Sequence, residues 1–171
     1  MIDKETQQYI DEKIRSHIHD GNYALRVNFP DLFLYTFPLE VHSATIATTG
    51  VTSMYFIAPY DMSVVSLYFA GGQGLVTSDT NYITWTMTNL GLDANGAAIS
   101  IAMLATTPAG INTTKTTGGT AILSEQSRQL TLSGTANNLQ VYRGQVILIT
   151  ATVTETLANT VVFPVYMIVF Q

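Results

Sequence analysis

Between residues 83 and 90 the chain reads ITWTMTNL, and apolar and threonine positions alternate without a break from Ile83 to Thr88. Successive side chains of a strand point to opposite faces, so Ile83, Trp85, Met87 and Asn89 share one side and Thr84, Thr86 and Thr88 the other. This predicts a half-buried strand with a threonine face in water. Runs of similar character recur at Glu40–Thr48, Ser53–Ala58, Ser63–Ala70, Ala98–Met103, Thr120–Ser124, Gln129–Leu132, Leu139–Tyr142 and Gln145–Thr154. Turn formers separate them: Pro59-Tyr60-Asp61, Gly71-Gly72, Asp93-Ala94-Asn95-Gly96, Pro108-Ala109-Gly110, Gly118-Gly119 and Arg143-Gly144. Many short strands at this spacing predict an all-β fold, a jelly-roll-like β-sandwich.

Two stretches break the alternation. Thr160–Phe170 (TVVFPVYMIVF) is apolar on both faces, and a strand buried on both faces needs a second cover. A second copy of the chain is the expected cover, lying against Val165, Met167 and Val169 or against the alternate set Tyr166, Ile168 and Phe170. A central strand beneath the domain's own loops is the other reading. Ile2–Ile18 instead follows a helical period. Ile10, Ile14 and His17 have the 4-then-3 spacing of a coiled-coil seam, and Asp11 and Glu12 reach Arg15 at i+4 and i+3. About 15 residues are marginal as a lone helix. The helix is therefore expected to serve as a trimerisation stalk or as an anchor to a larger assembly, with a helix lying on the domain's edge as the plainer alternative. The resulting division is an N-terminal helix over 1–20, an extended neck over 21–38 and a sandwich knob over 39–171.

Composition sharpens this picture. Charged residues are 11% of the chain, against about 25% in ordinary domains. The net charge is −5 and no basic run occurs, so the electrostatic footprint of a nucleic-acid binder is missing. Mean hydropathy is +0.24. Yet the longest strongly apolar run, 161–170, is far short of the roughly 20 residues of a membrane helix, so no membrane insertion is expected. The opening MIDKETQQY lacks the apolar core of a signal peptide. So apolar a chain with so few charges is expected to hide surface by self-association. The lack of cysteine excludes disulfides and thiolate chemistry.

The three histidines are His17, His19 and His42. His17 and His19 stand two apart where the helical pattern stops, so they share a side once the chain is extended. In a trimer, three such pairs meeting on the axis would offer six imidazoles in an octahedron, a set that suits Fe or Ni better than Zn. Asp20 could then orient a ring, and Gly21 lets the chain leave the axis. Two readings need no metal: imidazoles at the negative end of the helix dipole, or rings packed against each other at the axis. No cofactor is required by the rest of the chain. Enzymatic activity is not expected. The body offers only His42 as a base, and its carboxylates (Glu40, Asp61, Asp79, Asp93, Glu125 and Glu155) include turn residues such as Asp61 and Asp93. No nucleophile elbow, phosphate loop or His-Glu-x-x-His pattern is present.

His17-x-His19-Asp20-Gly21, followed by Arg26-Val27-x-Phe29-x-Asp31-Leu32, resembles the neck of bacteriophage trimeric fibre, spike and head-fibre proteins. Ala58-Pro59-Tyr60-Asp61 and the glycine at 144 before Val146–Ile149 are similar to turns of their jelly-roll knobs, although Gln145 stands where an acidic residue is usual. The resemblance implies a homotrimer on the exterior of a virion. Its N-terminal helix would contact other virion proteins, and its knob would attach to a host cell-surface receptor or glycan. It also implies iron on the axis between histidine pairs. Loops 71–81, 91–97 and 105–119, rich in Asn, Thr and Gly, are the expected outward surface. A capsid decoration or cement protein that stabilises the shell is the alternative function. A carbohydrate-binding module is a third.

Overall fold

The structure, a computed structural model, describes residues 37–91 and 99–171. In chain order its strands are β1 (Phe37–His42), β2 (Gly50–Ile57), β3 (Met62–Ala70), β4 (Tyr82–Gly91), β5 (Ile101–Ala102), β6 (Arg128–Leu130), β7 (Gln140–Val141), β8 (Val146–Thr154) and β9 (Val165–Phe170). The fold of this part is all-β. Every ladder is antiparallel. One sheet has the order β1-β9-β3-β6, with β7 also paired to β3, and the other has the order β2-β8-β4-β5. The chain thus changes sheet on passing from β1 to β2, from β2 to β3 and from β3 to β4. In the β1–β9 ladder Phe37 stands opposite Phe170, and His42 opposite Val165.

The threonine alternation of β4 behaves as its period predicts. Ile83, Trp85, Met87 and Asn89 are buried, Thr86 is exposed, and Thr84 and Thr88 are half-buried. β8 alternates in step: Ile147, Ile149, Ala151 and Val153 face inward. The small Ala151 is paired with the bulky Trp85, which leaves room for the indole. Aromatic contacts then join the two layers. The Phe69 ring lies 4.9 Å from Trp85 and 5.2 Å from Tyr166, and Phe56 lies 5.4 Å from Phe170. Tilted pairs of this kind add about 0.5–1.5 kcal/mol each beyond the area they bury.

The last strand distinguishes its two alternative faces. Tyr166, Ile168 and Phe170 are buried in this inter-sheet core, so the alternate set does not face a second copy. Val165, Met167 and Val169 point the other way and are half-buried. Met167 sits between Glu40 of β1 and Tyr68 of β3 on that outer side. The strand is also shorter than its sequence suggests. Pro164 has no N–H to give a ladder, and Phe163 before it takes a left-handed backbone, φ 49°. Val161 keeps only an isolated bridge to Ile46. That bridge is also what remains of the far half of the expected Glu40–Thr48 strand. β1 instead starts earlier and carries Pro38 on a sheet edge, where a missing N–H is tolerated. The expected Thr120–Ser124 strand reduces to one bridge, Ile122 to Leu75.

Burial raises the Tyr166 phenol far above its ordinary pKa, and the neighbouring Trp85 opposes this only in part. The indole Nε1 of Trp85 makes no hydrogen bond of ordinary geometry, although the Tyr166 hydroxyl lies near enough to act on it. Above about pH 10 the unfolded chain releases the Tyr166 proton while the folded chain keeps it. The unfolded state then binds fewer protons, so stability falls as pH rises. The urea midpoint is expected to decline from about pH 10 upward, and less steeply in Tyr166→Phe. Parallel declines in both proteins would contradict this.

Candidate functional site

Loops 71–81 and 105–119, both expected on the outward surface, meet along one edge of β4. β5 covers that edge only at Thr88 and Asn89. Residues 111–114 take over from there. Thr84 bridges Thr113. The Trp85 amide donates to the Asn112 carbonyl (3.0 Å), the Ile83 amide donates to Thr114 Oγ1 (2.8 Å), and the Thr114 amide donates back to the Ile83 carbonyl (2.9 Å). The 71–81 loop joins this frame from the other side. The Ser78 amide donates to the Thr114 carbonyl (3.1 Å), and the Asp79 carboxylate accepts from the Thr117 amide (2.9 Å) and hydroxyl (3.2 Å).

Two side chains fix the longer loop. Asn112 is buried and fully engaged. Its Nδ2 donates to the carbonyls of Ala105 (2.9 Å) and Thr131 (2.8 Å), and its Oδ1 accepts from the Thr131 amide (2.8 Å). Arg128 of β6 lies 5.0 Å over the Trp85 ring. Its guanidinium donates to the carbonyls of Thr120 (2.7 Å), Thr113 (2.9 Å) and Ile111 (3.1 Å). Burial lowers its pKa, but an arginine stays charged at neutral pH. Nearby, the Lys115 ammonium stands 4.4 Å over the Tyr82 ring. A hydrogen bond with Thr154, and then Lys115, lower the pKa of that half-buried phenol.

A cleft of about 180 Å³ opens between the outer face of β4, at Thr84 and Thr86, and the 105–113 turn, where Ala105, Thr106, Ile111 and Thr113 line it. No charged side chain lines it. Some of its hydroxyls are committed: Thr86 to Thr150 (2.5 Å) and Thr113 to the Gly110 carbonyl (2.6 Å). Such a cleft can hold a neutral group by shape and hydroxyl contact, and its walls supply no acid or base.

The two turns singled out by resemblance, 83 residues apart at Asp61 and Gly144, form one knot. The Ala58 amide donates to the Gln145 carbonyl (2.9 Å), the Gly144 amide to the Ala58 carbonyl (2.7 Å), and Asp61 Oδ1 accepts from the Arg143 amide (2.8 Å). Gln145 is buried, and its Oε1 accepts from Asn89 Nδ2 (2.8 Å) and the Tyr142 amide (2.9 Å). A neutral amide oxygen satisfies both donors without a buried charge, which explains how this chain dispenses with an acid there. Gly144 has φ +84°. Gly144→Ala is expected to cost about 1–2 kcal/mol, and to lower the Tm by roughly 2–8 °C. A calorimetric scan with no shift would contradict this.

Ile10, Ile14, His17, His19 and Asp20 lie outside the described residues, as does most of the 91–97 loop. His42 Nε2 is 3.2 Å from Glu40 Oε1, both side chains exposed. Among the described residues, no three His, Asp or Glu side chains gather as a metal site.

No family model matches the chain, and no curated protein matches it. Among solved structures, a chain in the structure of infectious bursal disease virus, Gx strain, is similar with a TM-score of 0.32 and 7% sequence identity. The match covers 80% of this chain and 36% of that one. A likeness this loose carries no argument about what the protein does.

Proposed function

We propose that the chain is a homotrimeric structural protein of a virion exterior, of the fibre, spike or knob kind, anchored through its N-terminal segment and attaching to a host cell through its loops. The observation that supports this best is the strand order. β1-β9-β3-β6 against β2-β8-β4-β5, with the first four strands alternating between the sheets, is the winding of a jelly roll. That is the architecture the HxHDG neck calls for downstream of it. The joined loops 71–81 and 105–119 are the attachment surface. Their frame of Asn112, Arg128 and Asp79 holds them ready before a ligand arrives, which lowers the ordering cost of binding. The uncharged cleft beside Thr84 and Thr86 suits a neutral glycan.

Three copies of His17 and His19 converge on the axis in this reading, either packed together or around one structural Fe, Ni or Zn. Elemental analysis tests the metal: about one ion per three chains, lost in His17→Ala. Sedimentation equilibrium tests the assembly, and a mass three times the 18.6 kDa of one chain is expected. A chain that stays monomeric at high concentration overturns the proposal. A trimer that decorates particles but neither adheres to host cells nor competes with virus adsorption is instead a decoration protein.

A further inference from the structure

The two sheets differ in where their charges lie. β1, the edge of the first sheet, carries Pro38, Glu40 and His42, with His42 Nε2 3.2 Å from Glu40 Oε1. Proline and charge on an edge strand block pairing with another chain. In the second sheet, not one strand residue of β2, β8, β4 or β5 is Lys, Arg, Asp or Glu. β2 is the edge of that sheet, and it has neither proline nor register shift. On the outer side of β2, Val51, Tyr55 and Ile57 are 62–64% exposed. Tyr55 is paired with half-buried Leu148, which extends the apolar surface inward. Beyond it the Thr150 hydroxyl, bonded to that of Thr86, marks where this apolar surface ends and the cleft of β4 begins.

We infer that the outer face of β2 and β8, rather than the outer face of β9, is where copies of this chain meet. The inference rests on the homotrimeric reading above and names its contact surface. Charge selects the occupant. Each copy carries −5, so copies repel wherever acidic surface meets acidic surface. On a face without charge, identical chains dock without opposing like charges or burying an unpaired one. The β9 outer side, by contrast, places Glu40 directly beside Met167.

The test is sedimentation of the full chain with lysines placed on each face. Tyr55→Lys/Ile57→Lys alters exposed positions of β2, and Met167→Lys/Val169→Lys alters the β9 side. The β2 variant is expected to remain folded by circular dichroism and to associate at least 100-fold more weakly, while the β9 variant assembles like the parent. A parent chain that is monomeric overturns this inference and the homotrimeric reading together. An assembled parent with a dissociated β9 variant and an intact β2 variant overturns the inference alone. A second measurement does not depend on the lysine variants folding. The chain has no cysteine, so single thiols at exposed Ser53→Cys and Gln129→Cys report the two faces separately. In the assembled protein the thiol at 53 is expected to react with a maleimide at least ten times more slowly than the thiol at 129. The reverse order overturns the inference.

Discussion

Ile168→Asp is expected to leave the domain unfolded, while Met167→Asp, one residue earlier, folds. Ile168 is fully buried, paired in the sheet with Leu67, which is equally buried. Removing its side chain costs roughly 2–5 kcal/mol in lost burial and cavity. A carboxylate there has no partner among the apolar neighbours, and burying it adds several kcal/mol more. The total reaches the whole stability of an ordinary domain, about 5–15 kcal/mol. Met167 points outward and is half-buried, so an aspartate there keeps its water. Its main cost is the like charge of Glu40 directly opposite, about 1 kcal/mol or less. Circular dichroism and urea titration of the two variants check this. Equal stability of the pair would overturn the assignment of the two faces of β9.

Arg128→Met carries the second-largest expected effect, a loss of about 3 kcal/mol. The substitution keeps much of the apolar packing over Trp85 but removes a charged donor from three carbonyls, of which only that of Thr113 keeps a second partner, the Thr120 amide. A hydrogen bond from a charged donor is worth about 1.5–3 kcal/mol. Arg128 is only half-buried, and water can reach part of the site, so the sum is discounted well below three full bonds. The Tm should fall by roughly 6–12 °C. The amides of Trp85 and Thr114, which the 111–114 segment engages, should exchange faster. Arg128→Lys should recover little, because one ammonium cannot span three carbonyls as a planar fork does. A Tm within 2 °C of the parent (well under the roughly 6 °C floor) would show that the guanidinium does not hold the loop.

What the sequence reveals about this fold depends on how cleanly each strand separates a wet side from a dry one. β4 and β8 were legible because threonine marks three successive outer positions in each, 84, 86 and 88 and then 150, 152 and 154. β9 was harder. Its outer side is apolar and half-covered, so the period that would tell in from out is lost, and both sets looked equally fit for an interface. The break at Pro164 was visible in the sequence and outweighed by the apolar run around it. The candidate site was legible only in outline. Loop composition pointed to 71–81 and 105–119. Nothing in it disclosed that Asp79 reaches across to Thr117, or that Arg128 gathers the carbonyls of residues 8 to 17 positions upstream. Asp61 read correctly as a turn residue, while its partner, the Arg143 amide, is 82 residues away. Such pairings are set by how the sheets stack, and no local pattern encodes them.

The register of β1 against β9 has a mechanical consequence. Phe37 and Phe170 are neighbours at one end of an antiparallel ladder, and the hydrogen bonds of such a ladder run perpendicular to its strands. A pull between residue 37 and residue 171 therefore acts along those bonds and concentrates on the pair at the loaded end. The ladder peels one pair at a time, where a shearing pull would load all of them together. Under tension applied that way, the sandwich opens first at its β1 edge, at low force, with Trp85, Phe69 and the rest of the interior still packed.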